Sequence, residues 1–139
     1  MNEVWQVYWR KAVDNLRVAK QAWEMAAFDP CVSRAYFATF HAAIAALLRL
    51  TDYRSRTWKH GEVQAEFVRR LIHRRKVFPS WMASVLPELA ALREDGDYRP
   101  FHVSKSQAQR ALKRAEEFLK QVGEALKQEG RGEPLGMAG

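Results

Sequence analysis

The chain has 139 residues, 47% apolar and 28% charged, which suits one folded domain with a single core. Its longest apolar run, Ala42 to Leu48, is far short of the roughly 20 residues a bilayer span needs. The start, Met1-Asn2-Glu3, lacks the basic-then-apolar order of a secretory signal, so a cytoplasmic protein with no membrane contact is expected. The single cysteine, Cys31, makes neither an internal disulfide nor a metal site, and the net charge of +7 points to anionic partners.

Scarce glycine and few β-branched residues favour helix throughout. The first helix is expected from about Glu3 to Ala27, where Trp5, Tyr8, Trp9, Ala12, Leu16, Ala19, Trp23 and Ala26 recur at steps of three and four and make one stripe. The tryptophans Trp5, Trp9 and Trp23 read as core or as a dimer seam. The second helix opens at Asp29-Pro30, a capping carboxylate followed by a residue suited to the first helical position, and runs to about Leu50. It is apolar or small on almost every side, so it belongs at the centre of the fold.

Thr51 to Lys59 reads as a polar, basic loop. A third helix is expected from His60 to His73, with Val63, Phe67, Val68 and Leu71 inward. A fourth runs from Pro79-Ser80 to about Glu94, bent at Pro87 unless it begins there. Asp95 to Val103 reads as a loop. Ser104 and Gln107 then form a capping box, opening the last helix on a stripe from Ala108 to Leu126. Residues 129–139, rich in glycine, read as a disordered tail after a domain spanning 1–128. From Arg49 to Lys76 there are nine basic and three acidic residues, so that segment alone nets +6. It is either a surface for phosphates or acidic protein, or a solvated face.

Three stretches, in order, resemble the HEPN (higher eukaryotes and prokaryotes nucleotide-binding) domain family, in its small stand-alone prokaryotic form. They are Ser33-Arg-Ala-Tyr-Phe-Ala-Thr-Phe-His-Ala-Ala-Ile-Ala-Ala-Leu-Leu48, Lys59-His60-Gly61, and Leu92-Arg93-Glu94-Asp95-Gly96-Asp97-Tyr98. The resemblance implies an all-α fold: an up-and-down four-helix bundle with an additional short helix, usually a homodimer. It also implies partnership with a small nucleotidyltransferase, and for many members a metal-independent ribonuclease activity in toxin–antitoxin systems. That chemistry pairs an Arg with a His, with four to six residues between them. His shuttles a proton at a ribose hydroxyl and Arg stabilises phosphorane charge. Here the fifth residue after Arg93 is Tyr98, a poor base at neutral pH, and His102 lies nine residues on. Arg54–His60 and Arg34–His41 satisfy the spacing elsewhere in the chain.

The candidate catalytic residues are therefore Arg93, Asp97 and Tyr98, and the candidate ligand-binding residues are Arg34, His41, Lys59 and His60. No metal or cofactor is expected. Arg34 and His41, two turns apart on one helix face, read either as a pocket for a phosphate or base, or as a structural network in which Arg34 pairs with Asp97 and His41 bonds a backbone carbonyl. Trp58 reads as a stacking platform for a base or as packing for its own loop. Three functions stay open: a dimeric binding module acting with a nucleotidyltransferase, nucleotide or RNA; a ribonuclease toxin; and a structural oligomer without ligand.

Overall fold

The computed structural model describes residues 3–98, 100 and 102–136, with side chains as far as Gln128. Among them every regular element is helical: α1 (Val4–Glu24), α2 (Phe28–Leu50), α3 (His60–Phe67) continuing as a π-helical stretch (Val68–Arg74), a short 3-10 turn (Ser80–Ser84), α4 (Val85–Tyr98) and α5 (Lys105–Gly136). The all-α class is the one expected.

α2 is the axis, packed against α1, α3, α4 and α5. At 23 residues and a mean hydropathy of 1.4 it is long and apolar enough to cross a bilayer, yet 78% of that window is buried inside the protein. Its apolarity is explained by helices on all sides. α1 meets it through Ala12, Ala19 and Ala22, all buried, whose small side chains bring the backbones close, while Trp5, Trp9 and Trp23 pack half-buried beside them. Ala26, expected on the stripe, instead lies past the helix end in a left-handed turn with φ 62° and is exposed.

Phe67 stacks between Phe78 and Phe118, each at 5.3 Å, joining α3 to α5. Fully burying a ring of this size contributes about 1.5–3 kcal/mol. The third helix covers the expected residues, but its second half widens to the π form, with the Arg75 amide donating to the Arg70 carbonyl. The capping box stands as expected: the Gln107 amide donates to Ser104 Oγ at 3.0 Å and the Ser104 amide to Gln107 Oε1 at 2.9 Å.

Two local expectations, the Asp29 cap and the loop over Asp95–Tyr98, are corrected. Asp29 does not cap its own helix, which begins at Phe28. Its carboxylate instead accepts the Val103 amide at 2.7 Å and lies 2.8 Å from His102 Nδ1, tying the segment before α5 to the start of α2. Of the two alternatives for Pro87, the structure has the one in which α4 begins there: Pro87 falls in its first turn, where no helical donor is lost. Asp95 to Tyr98 belong to α4 rather than to a loop, because Arg93 and Asp97, one turn apart, pair along the helix. The backbone of α5 is helical to Gly136; side chains from Glu129 on lie outside the described residues.

Candidate functional site

The second helix presents Arg34, Phe37 and His41 on one face at steps of three and four. The end of α4 brings Arg93, Asp97 and Tyr98 alongside, and the start of α3 adds His60. The guanidinium of Arg93 lies over the Phe37 ring at 4.8 Å and over Tyr36 at 5.6 Å. That of Arg34 lies over the same Phe37 ring at 5.0 Å. Phe37 is therefore shared by two cations. A guanidinium that stacks its flat face on a ring keeps its N–H edges free for oxygen acceptors.

The charges of this corner are not balanced. Arg93 Nε is 3.4 Å from Asp97 Oδ2, with both side chains mostly buried. Arg34 donates to the neutral Asn15 side chain on α1 at 2.9 Å. The structural pairing of Arg34 with Asp97 is thus replaced: Asp97 belongs to Arg93. Tyr98 is 70% exposed, with its hydroxyl 3.5 Å from Arg93.

His60 packs its ring on Phe40 at 4.6 Å and on Tyr36 at 5.3 Å. Its Nδ1 is 2.6 Å from the Tyr36 hydroxyl, which leaves Nε2 as the ring nitrogen offered outward. Partial burial and then the Arg93 charge hold the His60 pKa below its ordinary value. Burial pushes the Tyr36 hydroxyl up to about 12, with Arg93 opposing. His60 is therefore neutral at physiological pH, and Tyr36 keeps its proton.

His41 sits on the same α2 face, stacked on Phe37 at 6.1 Å and against Tyr8 of α1 at 5.9 Å. Burial, together with the charges of Lys11 and Arg34, lowers its pKa to about 4. Lys59 is exposed one residue before His60, and its carbonyl accepts the Val63 amide at the start of α3. The structure thus gathers Arg34, His60, Arg93, Asp97 and Tyr98 at one corner, sets His41 behind Phe37, and leaves Lys59 at the rim.

Three residues of the corner were not assigned roles from sequence: Tyr36, Phe37 and Asn15. The step of three from Arg34 to Phe37 marks a shared face and was the available signal. Nothing in the spacing tells that Asn15, on another helix, receives the guanidinium.

Compared with known families, residues 5–126 match the model of the HEPN domain. No curated protein matches the chain.

Proposed function

The chain belongs to the HEPN domain family, a module of nucleotide- or RNA-related function, and from that premise we propose that it binds the phosphates of RNA or of a nucleotide at the Arg34–Arg93–His60 corner. The observation that carries this reading is the pair of guanidiniums over one Phe37 ring, with Asp97 paired to Arg93. Two neighbouring cations suit a phosphodiester oxygen better than they suit each other. In the same reading the protein is a cytoplasmic homodimer acting beside a small nucleotidyltransferase. Val4, Val7, Val18 and Met25, exposed along one side of α1, offer apolar surface for a second copy.

The test is binding of a fluorescent ribo-oligonucleotide by anisotropy at low salt. Arg34→Ala with Arg93→Ala is expected to weaken it at least tenfold. Unchanged affinity in the folded double variant refutes the reading.

A metal-independent ribonuclease is the second reading, favoured by His60 rather than by Tyr98. His60 is uncharged, oriented by Tyr36 through Nδ1, and within the field of Arg93. A neutral imidazole with a free edge is suited to take a proton from a ribose hydroxyl, and Arg93 is placed to stabilise phosphorane charge. This reading requires RNA cleavage in EDTA that His60→Ala abolishes. A toxin role adds growth arrest on induction, lost in the same variant.

A further inference from the structure

Away from the corner, the C-terminal end of α2 and the π-helical stretch enclose a cleft of about 480 Å³ lined by Arg49, Arg54, Arg70, Arg74 and Arg75 with Asp52 as the one acid. The π stretch ends beside it, where the Arg75 amide donates to the Arg70 carbonyl five residues back. Arg75 donates to the Leu50 carbonyl, so a helix end that would repel anions is covered. Arg54 donates only to the carbonyls of Thr51 and Tyr53. Neither Arg54 nor Arg74 has an acidic partner among the described residues.

A line of half-buried rings connects this cleft to the corner. Phe37 meets His41 at 6.1 Å, His41 meets Tyr8 at 5.9 Å, Tyr8 meets Trp58 at 6.1 Å and Trp58 meets Tyr53 at 6.1 Å, over which Arg70 lies at 5.1 Å. Trp58 meets both tyrosines in T-shaped contacts, at 62° and 69°, and is only partly buried. Trp58 itself is held with φ 47°, a left-handed conformation that a bulky residue adopts only under constraint. The constraint is local: Ser55 Oγ accepts the amides of Thr57 and Trp58.

We propose that the rings and the arginine cleft form a path for a single-stranded polynucleotide, with bases against Tyr8, Trp58 and Tyr53 and phosphates at Arg54 and Arg74, while Arg70 is held by Asp52 and Glu66. The inference rests on the reading of the corner as a phosphate site, and extends it from one nucleotide to a strand. From Phe37 to Leu50 the helix rises about 20 Å, room for roughly four nucleotides, the lower end of single-strand site sizes. The acids nearest the path are Asp52, Glu62 and Glu66. Glu66 is occupied by Arg69 and Arg70, and Glu62 lies beside the Tyr53 hydroxyl. Edge-on rings and arginines read no base edges, so sequence preference is expected to be weak.

The test compares a labelled ribo-dinucleotide with a ribo-octanucleotide on the full chain, by anisotropy across a salt series, with the DNA octamer in parallel. The octamer is expected to bind at least tenfold more tightly than the dinucleotide. Arg54→Ala with Arg74→Ala should weaken the octamer about tenfold, lower its salt slope by about 1.4 and leave the dinucleotide unchanged. Trp58→Phe should retain octamer binding that Trp58→Ala loses. If the octamer gains nothing over the dinucleotide, or ignores the Arg54/Arg74 variant, the path is refuted while the corner stands. If the octamer ignores the loss of Arg34 and Arg93, the corner reading fails and the path fails with it. No binding of either ligand overturns both.

Discussion

The Tyr36 hydroxyl and His60 Nδ1, 2.6 Å apart, join the middle of α2 to the first turn of α3. The bond fixes the His60 ring beside Arg93, and burial and that cation both disfavour the imidazolium. Replacing Arg93 with Ala removes the cation. The His60 pKa should then rise toward its ordinary value of 6.5. An NMR titration of the His60 ring protons checks it, and a pKa that stays or falls disproves the electrostatic coupling. Tyr36→Phe should cost about 1 kcal/mol of stability, the net worth of one hydrogen bond.

His41 governs the acid limit of stability. Its folded pKa of about 4 lies below the unfolded 6.5, so the unfolded chain binds its proton first. The protein should therefore lose stability as pH falls from about 6.5 to about 4. The loss from this one group is at most about 3 kcal/mol. His41→Phe keeps an aromatic ring against Tyr8 and removes the proton site. Its denaturation midpoint should be flatter across that window than the parent's. Parallel pH profiles exclude His41 as the cause.

Much of this architecture was legible in periodicity. The stripes of α1 and α5 and the even apolarity of α2 each name the side that must be covered, and capping by Ser104 and Gln107 follows from two residues three apart. The corner was legible in part: Arg34, His60, Arg93, Asp97 and Tyr98 do meet. What the sequence hides is partner choice between elements. Asp29 before a proline has the pattern of a cap, but its carboxylate serves Val103, more than seventy residues on. The π widening of 68–74 is likewise silent, because Val68 to Arg74 carries the periodicity of an ordinary helix, while its end is closed by the Val77 and Phe78 amides donating to the Leu71 carbonyl.

Asp29 should be a structural anchor. It holds the Val103 amide and His102 against α2. Burial opposes its ionisation, but those hydrogen bonds win and keep its pKa below the ordinary aspartate value of 3.8. The stabilisation is present above that pH and is lost as pH drops through the lower folded value. Asp29→Ala should cost about 1–2 kcal/mol near neutral pH, seen as a lower denaturant midpoint. It should also speed amide exchange at Val103. If exchange there is unchanged, the carboxylate is not what holds the segment.

Gly96 supplies a test of the same anchor from the opposite side. It lies inside α4, where Ala would normally gain about 1 kcal/mol over Gly. A Cβ built there meets Val103 Cγ2 at 3.0 Å and Asp29 Oδ1 at 3.1 Å. Neither atom is the free end of a long side chain: Asp29 is held by two bonds and Val103 is buried. The added methyl must displace the carboxylate and Val103 by a few tenths of an ångström, straining the bond to the Val103 amide, and that strain offsets the gain in helix propensity. Gly96→Ala is therefore expected to be net destabilising, lowering Tm by about 3 °C. In an Asp29→Ala background the carboxylate's part of the obstruction is gone and Val103 loses the bond that holds its backbone, so the same substitution should be less destabilising. A double-mutant cycle of thermal melts measures the difference. Additive effects of the two changes would show that Gly96 and Asp29 do not share this contact.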